Sequence, residues 1–223
     1  MISVAIDGPS GAGKSTVAKL IAREFGYIYV DTGAMYRAVA VYFLENKKNI
    51  ADIEQVVKAL DDIKIKIEYI NKEQHMFLNG VDVTGKLRTP SVSMAASDIS
   101  AIKEVREFLL LAQKDMAKKF NVIMDGRDIA TVVLPDADVK IFLTASPEQR
   151  AKRRYDELKA TQQNISYEEV MSDMKLRDYN DSNRKTAPLK PSEESVIVDS
   201  TNLSLDETVK FIKDLIEERT SGK

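Results

Sequence analysis

Gly8-Pro9-Ser10-Gly11-Ala12-Gly13-Lys14-Ser15, with Thr16 behind it, sets glycines, a lysine and a hydroxyl in the order G-x-x-x-x-G-K-[ST]. The residue types suit a phosphate chain. Gly8, Gly11 and Gly13 let backbone N–H groups turn toward an anion, and a helix opening at Lys14 adds unpaired amides. Lys14 can reach the β- and γ-phosphates, and the Ser15 hydroxyl suits Mg²⁺. A second acidic group, Asp125 in Asp125-Gly126-Arg127-Asp128, follows an apolar run and suits the same metal, directly or through water. Arginines are spread behind these motifs: Arg37, Arg106, Arg127, Arg150, Arg153, Arg154, Arg177 and Arg184. Guanidinium groups grip phosphate oxygens in pairs, so the chemistry expected is phosphoryl transfer between two anionic substrates.

The elements that must hold these residues can be read from periodicity. Ile2-Ser3-Val4-Ala5-Ile6 predicts a buried strand, and Val17, Leu20, Ile21 and Phe25 a helix after the glycine loop. Tyr27–Val30 predicts a second strand ending in Asp31-Thr32-Gly33. The following helix turns Tyr36, Val39, Ala40, Phe43 and Leu44 to one face. A short helix is expected over 51–60. From 61 to 88 the texture changes: Ile63–Glu68 alternates, and Asn79-Gly80 divides two short apolar runs, predicting a small antiparallel insertion. Thr89-Pro90 starts a helical region. A helix over 102–120 is expected to turn Val105, Phe108, Leu109, Ala112 and Met116 inward, with Arg106 on another face. Val122–Met124, Val139–Leu143 and Val196–Asp199 complete the strands. Ser146, Ser166 and Ser204 precede the helices between and after them, each with Gln or Glu three residues on. The last of these helices is expected to turn Leu205, Val209, Ile212 and Ile216 to the core.

Strands alternating with helices imply an α/β fold: a doubly wound five-stranded parallel sheet with a small antiparallel β insertion and a helical lid. Residues 1–60 and 89–223 form the expected core, 61–88 the insertion and about 147–190 the arginine-rich lid. The fold alone serves switches and kinases alike. A guanine-reading N-K-x-D is missing: Asn46-Lys47-Lys48-Asn49 and Asn71-Lys72-Glu73-Gln74 both fail it. The alternatives to phosphoryl transfer onto one particular acceptor are a P-loop nucleotide switch, or a small-molecule kinase with another acceptor such as UMP or dTMP.

A net charge of −2 over 223 residues gives no basic footprint for nucleic acid. The chain has no cysteine and a single histidine, His75, which excludes disulfides and cysteine metal sites. No apolar run suggests a leader or a membrane span, so a cytoplasmic protein is expected. A monomer is the expected state.

Ile6–Ser15, Asp31-Thr32-Gly33-Ala34-Met35-Tyr36-Arg37, Asp125–Asp128, Pro135-Asp136-Ala137, Lys140–Leu143 and Asp199-Ser200-Thr201 together resemble the bacterial cytidylate kinase family, over nearly the whole chain. The resemblance extends to the hairpin insertion. Relatives often have Lys-Gly-Thr where Lys14-Ser15-Thr16 stands, and serine where Thr32 stands; both changes keep a hydroxyl. The resemblance implies ATP and CMP or dCMP as substrates, with Mg²⁺. It implies ATP binding by Gly8 through Thr16. It also implies cytosine contacts from Ser97, Arg106 and Asp128, and sugar contacts from Arg177 and Asp181. Arg37, Arg127 and Arg184 would hold the acceptor phosphate, with Thr32 and Tyr36 lining its site. Lys14, Arg37, Arg127, Arg154 and Arg184 would serve catalysis.

Overall fold

The structure, a computed structural model, describes residues 1–71, 73–160 and 165–222. Its central strand is β1 (Ser3–Asp7), whose burial is complete along Val4-Ala5-Ile6. Among the described residues, five strands form a parallel sheet in the order β2 (Ile28–Asp31), β6 (Val122–Gly126), β1, β7 (Val139–Thr144), β8 (Val196–Asp199). A separate antiparallel sheet holds β3 (Ile65–Ile70), β4 (Glu73–Leu78) and β5 (Val81–Asp82). The expected α/β architecture is the one observed.

The chain divides into two compact units, one built from residues 1–29 and 117–223, the other from 30–116. In the first, Val4, Ile6, Ile123, Ile141 and Leu143 of the sheet are covered by Val17, Ala18 and Ile21 of α1 (Lys14–Phe25), and by Ile212 and Ile216 of α8 (Leu205–Thr220). Parallel strands covered by helices read as unbroken apolar runs, which is how these strands read in the sequence. A smaller cluster joins α6 (Pro147–Ala160) to α7 (Tyr167–Asn183) through Ala151, Leu158, Val170 and Met174. Residues 161–164 of the expected lid lie outside the described residues.

In the second unit, α2 (Thr32–Glu45), α3 (Ile53–Leu60), α4 (Pro90–Ser100) and α5 (Lys103–Lys119) share a core with Met76 and Leu78 of β4. The β4–β5 turn carries Asn79 at φ 50° and Gly80 at φ 84°. These are the left-handed angles a two-residue hairpin turn needs, so Asn-Gly is the pair that fits. Thr89 caps α4 through the Val92 amide, with proline in the first turn.

Several inward-facing expectations are corrected. Leu20, Leu44 and Leu205 are exposed at their helix surfaces. On α5 the buried stripe runs Val105, Leu109, Gln113 in steps of four, so Ala112 turns outward and Arg106, expected on another face, is buried beside it. Among the described residues, no helix is long and apolar enough to cross a membrane.

Candidate active site

The loop after β1 leaves the sheet at Gly8, where a Cβ would run into the Leu143 carbonyl oxygen of β7. Gly11 (φ 73°) and Gly13 (φ 91°) take left-handed angles closed to most side chains. Those bends bring the chain to α1 with Lys14 as its first residue, and Gly13 makes no side-chain cap, which leaves the first amides of α1 without a partner from that residue. Lys14 is buried and its Nζ donates to the Pro9 carbonyl at 2.8 Å. Burial, and then repulsion from Arg127 and Arg177, hold its pKa well below the ordinary lysine value against the pull of Asp125 and Asp7. A cation held so uncomfortably gains when an anion arrives.

Ser15 donates its hydroxyl to Asp125 Oδ2 at 2.8 Å. Asp125 comes from the C-terminal end of β6, the neighbour of β1, and Tyr29 donates to its other oxygen at 2.9 Å. Two adjacent hard oxygen donors fit Mg²⁺, which keeps most of its shell as water and substrate phosphate. No cluster of three or more metal-ligating side chains exists among the described residues. The donor set therefore suits a metal that arrives with a nucleotide rather than one held by the protein alone. Thr16 is exposed on α1.

In the same unit the residues after β6 face α7 and its end. Arg127 donates to Asp181 Oδ2 at 2.9 Å, and Arg184 lies 3.5 Å from Asp128 Oδ1 while donating to the Ala187 carbonyl. Burial raises the cost of charge at Asp181, but Arg127, Arg177 and Arg184 outweigh it and hold its pKa below the usual carboxylate range. Burial likewise opposes charge on Arg127, and Asp181, Asp125 and Asp178 more than restore it. The result is a charged lattice of three half-buried arginines around buried carboxylates, an arrangement that can exchange internal partners for phosphate oxygens.

The arginines of α6 separate into different tasks. Arg150 donates to the Ala145 and Ser10 carbonyls and pairs with Asp178 at 2.6 Å. Arg153 donates to the Ala12 and Ser200 carbonyls. Both brace the glycine loop from outside, a duty the i, i+3, i+4 spacing did not reveal. Arg154 instead pairs with Glu157 on the same helix at 2.8 Å. Arg177 reaches the Ser10 hydroxyl at 3.4 Å.

In the unit spanning 30–116, Asp31 caps α2 through the Ala34 amide and pairs with Arg37 at 2.7 Å. Thr32 is buried at the start of α2. Tyr36, one turn on, places its ring 5.5 Å from the Arg106 guanidinium, which also donates to the Ser100 carbonyl. Ser97 Oγ and Arg37 Nε are buried without a hydrogen-bond partner. Buried polar atoms are rarely left so, and a ligand is the economical remedy.

Sequence reasoning missed two groups besides the bracing arginines. Tyr29 positions Asp125, and Asp7 accepts from the Ile129 and Ala130 amides at 2.8 Å each. The signal for Asp7 was present: an acidic residue closing an otherwise apolar buried strand needs partners.

The comparisons agree with this geometry. The cytidylate kinase family model matches residues 4–218. A cytidylate kinase from Caldicellulosiruptor saccharolyticus is 50% identical, covering 96% of this chain and 95% of its own. One from Fusobacterium nucleatum is 46% identical, covering 97% of both. A crystal structure of an uncharacterized protein from Eubacterium ventriosum, 12% identical, aligns over 97% of this chain and 98% of that one with a TM-score of 0.52, and shares the fold. With its phosphate loop, its Ser15–Asp125 pair and a match along nearly its full length, the chain belongs to the cytidylate kinase family.

Proposed function

We propose that the chain transfers the γ-phosphoryl group of ATP to CMP or dCMP, giving ADP and CDP or dCDP. The observation that carries this is the pairing of a phosphate loop, with Lys14 at its end, to the partly buried Arg127–Asp181 and Arg184–Asp128 pairs of the same unit. A P-loop switch needs the first; a second set of paired arginines suits a second anionic substrate. The loop amides of Gly8, Pro9-flanked Ser10, Gly11, Ala12 and Gly13, with Ser15 and Thr16, would bind ATP. Mg²⁺ bound with ATP at Ser15 and Asp125 would neutralise phosphate charge.

The remaining chemistry falls to side chains. The acceptor is a phosphate already anionic near neutral pH, so no general base is required. Lys14 stabilises charge on the transferring group, and Arg154 joins it from the lid. Arg37, Arg127 and Arg184 hold the acceptor phosphate in line, Thr32 and Tyr36 line its site, and Arg177 and Asp181 approach the sugar. Asp128, which can only accept, suits the cytosine amino group; Arg106, which can only donate, suits N3 or O2, and Ser97 is a further contact to the base. Uracil presents O4 and N3–H instead, which sets a carbonyl oxygen against a carboxylate.

Residues 1–60 and 89–223 make the kinase core in this proposal, 147–190 a lid closing to exclude water, and 61–88 an insertion in the acceptor-binding region. In this proposal the enzyme acts as a cytoplasmic monomer. A coupled assay of ADP release across CMP, dCMP, UMP and dTMP tests the proposal. CMP and dCMP should be turned over, UMP should trail by roughly 10–10² in kcat/KM, and ATP alone should be hydrolysed slowly. Slow hydrolysis that no monophosphate accelerates would sink it.

A further inference from the structure

Asp7 lies at the C-terminal end of β1 with 1% of its surface exposed. Its Oδ1 accepts from the Ile129 amide and its Oδ2 from the Ala130 amide, so both oxygens are used by consecutive residues. Those residues open the single turn Ile129–Val133, and Asp128 stands just before it. The Asp128 carbonyl already accepts from the Val132 and Val133 amides, which places Asp128 at the position where an aspartate ordinarily bends back to cap its own turn. It makes no such bond. Its carboxylate is directed instead to Arg184, and the first amides of the turn go to Asp7, 122 and 123 positions away in the chain.

We propose that Asp7 is a positioning residue for base selection: by capping the turn after Asp128 it keeps the Asp128 carboxylate available to the acceptor base. The idea rests on Asp128 reading cytosine, as proposed above. A turn has few amide donors to offer, and an aspartate beside unfilled donors takes them. With Asp7 removed, Asp128 gains a competing local partner one or two residues away and is withdrawn from the ligand. The two carboxylates also sense one another. Burial pushes the Asp7 carboxyl up to about 7, the Ile129 and Ala130 amides work against that, and Asp128 adds to it. Both are therefore held in one small buried volume, where the division of donors between them matters.

Asp7→Asn keeps the size but turns an NH₂ group toward one of the two amides. At pH 8, the kcat/KM ratio for CMP over UMP should fall about tenfold, while the KM for ATP stays near the wild-type value. On an Asp128→Asn background the same substitution should leave that ratio within about twofold, because the residue it positions is already gone. The ratio does not depend on how much of a preparation is folded, so a destabilised variant still reports. Asp7→Ser serves as the second variant. An unchanged ratio in Asp7→Asn, or losses that multiply in the double variant, would overturn the proposal. So would failure of both variants to fold, which would make Asp7 a core residue only. A wild-type enzyme with no preference for CMP over UMP would instead remove the reading of Asp128 on which it rests.

Discussion

Lys14 is the residue on which rate should depend most directly. Its Nζ donates to the Pro9 carbonyl from a buried position, so it is held within the loop rather than in the hydrophobic core. Lys14→Ala should lower kcat by roughly 10²–10³, about 3–4 kcal/mol of transition-state stabilisation, with an unchanged circular dichroism spectrum. Near-normal turnover in a folded variant would remove it from the chemistry. Asp7 makes a different kind of prediction, about stability and pH. Its folded pKa is raised to about 7, from 3.8, chiefly by burial. Between those values the folded chain holds a proton that the unfolded chain has released, so stability should fall as pH rises from about 4 to about 7 and level off above. The slope from this one group is at most about 1.4 kcal/mol per pH unit. Urea denaturation of wild type and Asp7→Asn across that range should give curves that converge or diverge with pH. Parallel curves would mean Asp7 does not titrate there.

At the level of elements, α6 and α7 show what local sequence determines and what it leaves open. The Ser166–Glu169 capping box, the Asn79-Gly80 turn and the Thr89 cap all depend on residues within a few positions of one another, and all were legible. So were Ser15 and Asp125 as a pair of metal-side oxygens, because one ends the glycine-loop motif and the other lies at the end of an apolar strand. Arg150 was not legible: its partner carbonyl on Ser10 lies 140 positions away, and spacing on a helix shows only that arginines share a side. The burial of Arg106 was hidden for a similar reason, since its Tyr36 partner lies on another helix. The anchoring of Arg150 and Arg153 to the glycine loop refines what lid movement should look like. Hydrogen exchange should find the first turn of α6 protected without ligand. With a bisubstrate analogue, residues 154–160 and 165–173 should gain protection. No gain there would leave α6 and α7 as a fixed wall. Ser166→Ala should cost about 1 kcal/mol and speed exchange in the first turn of α7, without altering exchange in β1, β6 or β7.

For the molecule as a whole, the division into two units each with its own buried cluster predicts separable stability. Phe43 is fully buried in the core of the 30–116 unit. Phe43→Ala should cost about 3–5 kcal/mol and raise exchange throughout α2, α4 and α5, leaving the amides of β1, β6 and β7 protected. Uniform loss across both units would show a single cooperative block. The central place of β1 has a further consequence, in time rather than in space. Its neighbours β6 and β7 lie far along the chain; the Ile2 amide, for instance, bonds to the Asn121 side chain 119 positions later. A ribosome adding about 5–20 residues per second needs roughly 6–24 s to cover that interval. Throughout it, Val4-Ala5-Ile6 is an apolar strand with neither edge matched, while the 30–116 unit already has its own residues in hand. The earliest-made strand of the sheet thus waits longest for a partner, and the nascent chain, more than the finished enzyme, is the form that needs shielding from aggregation.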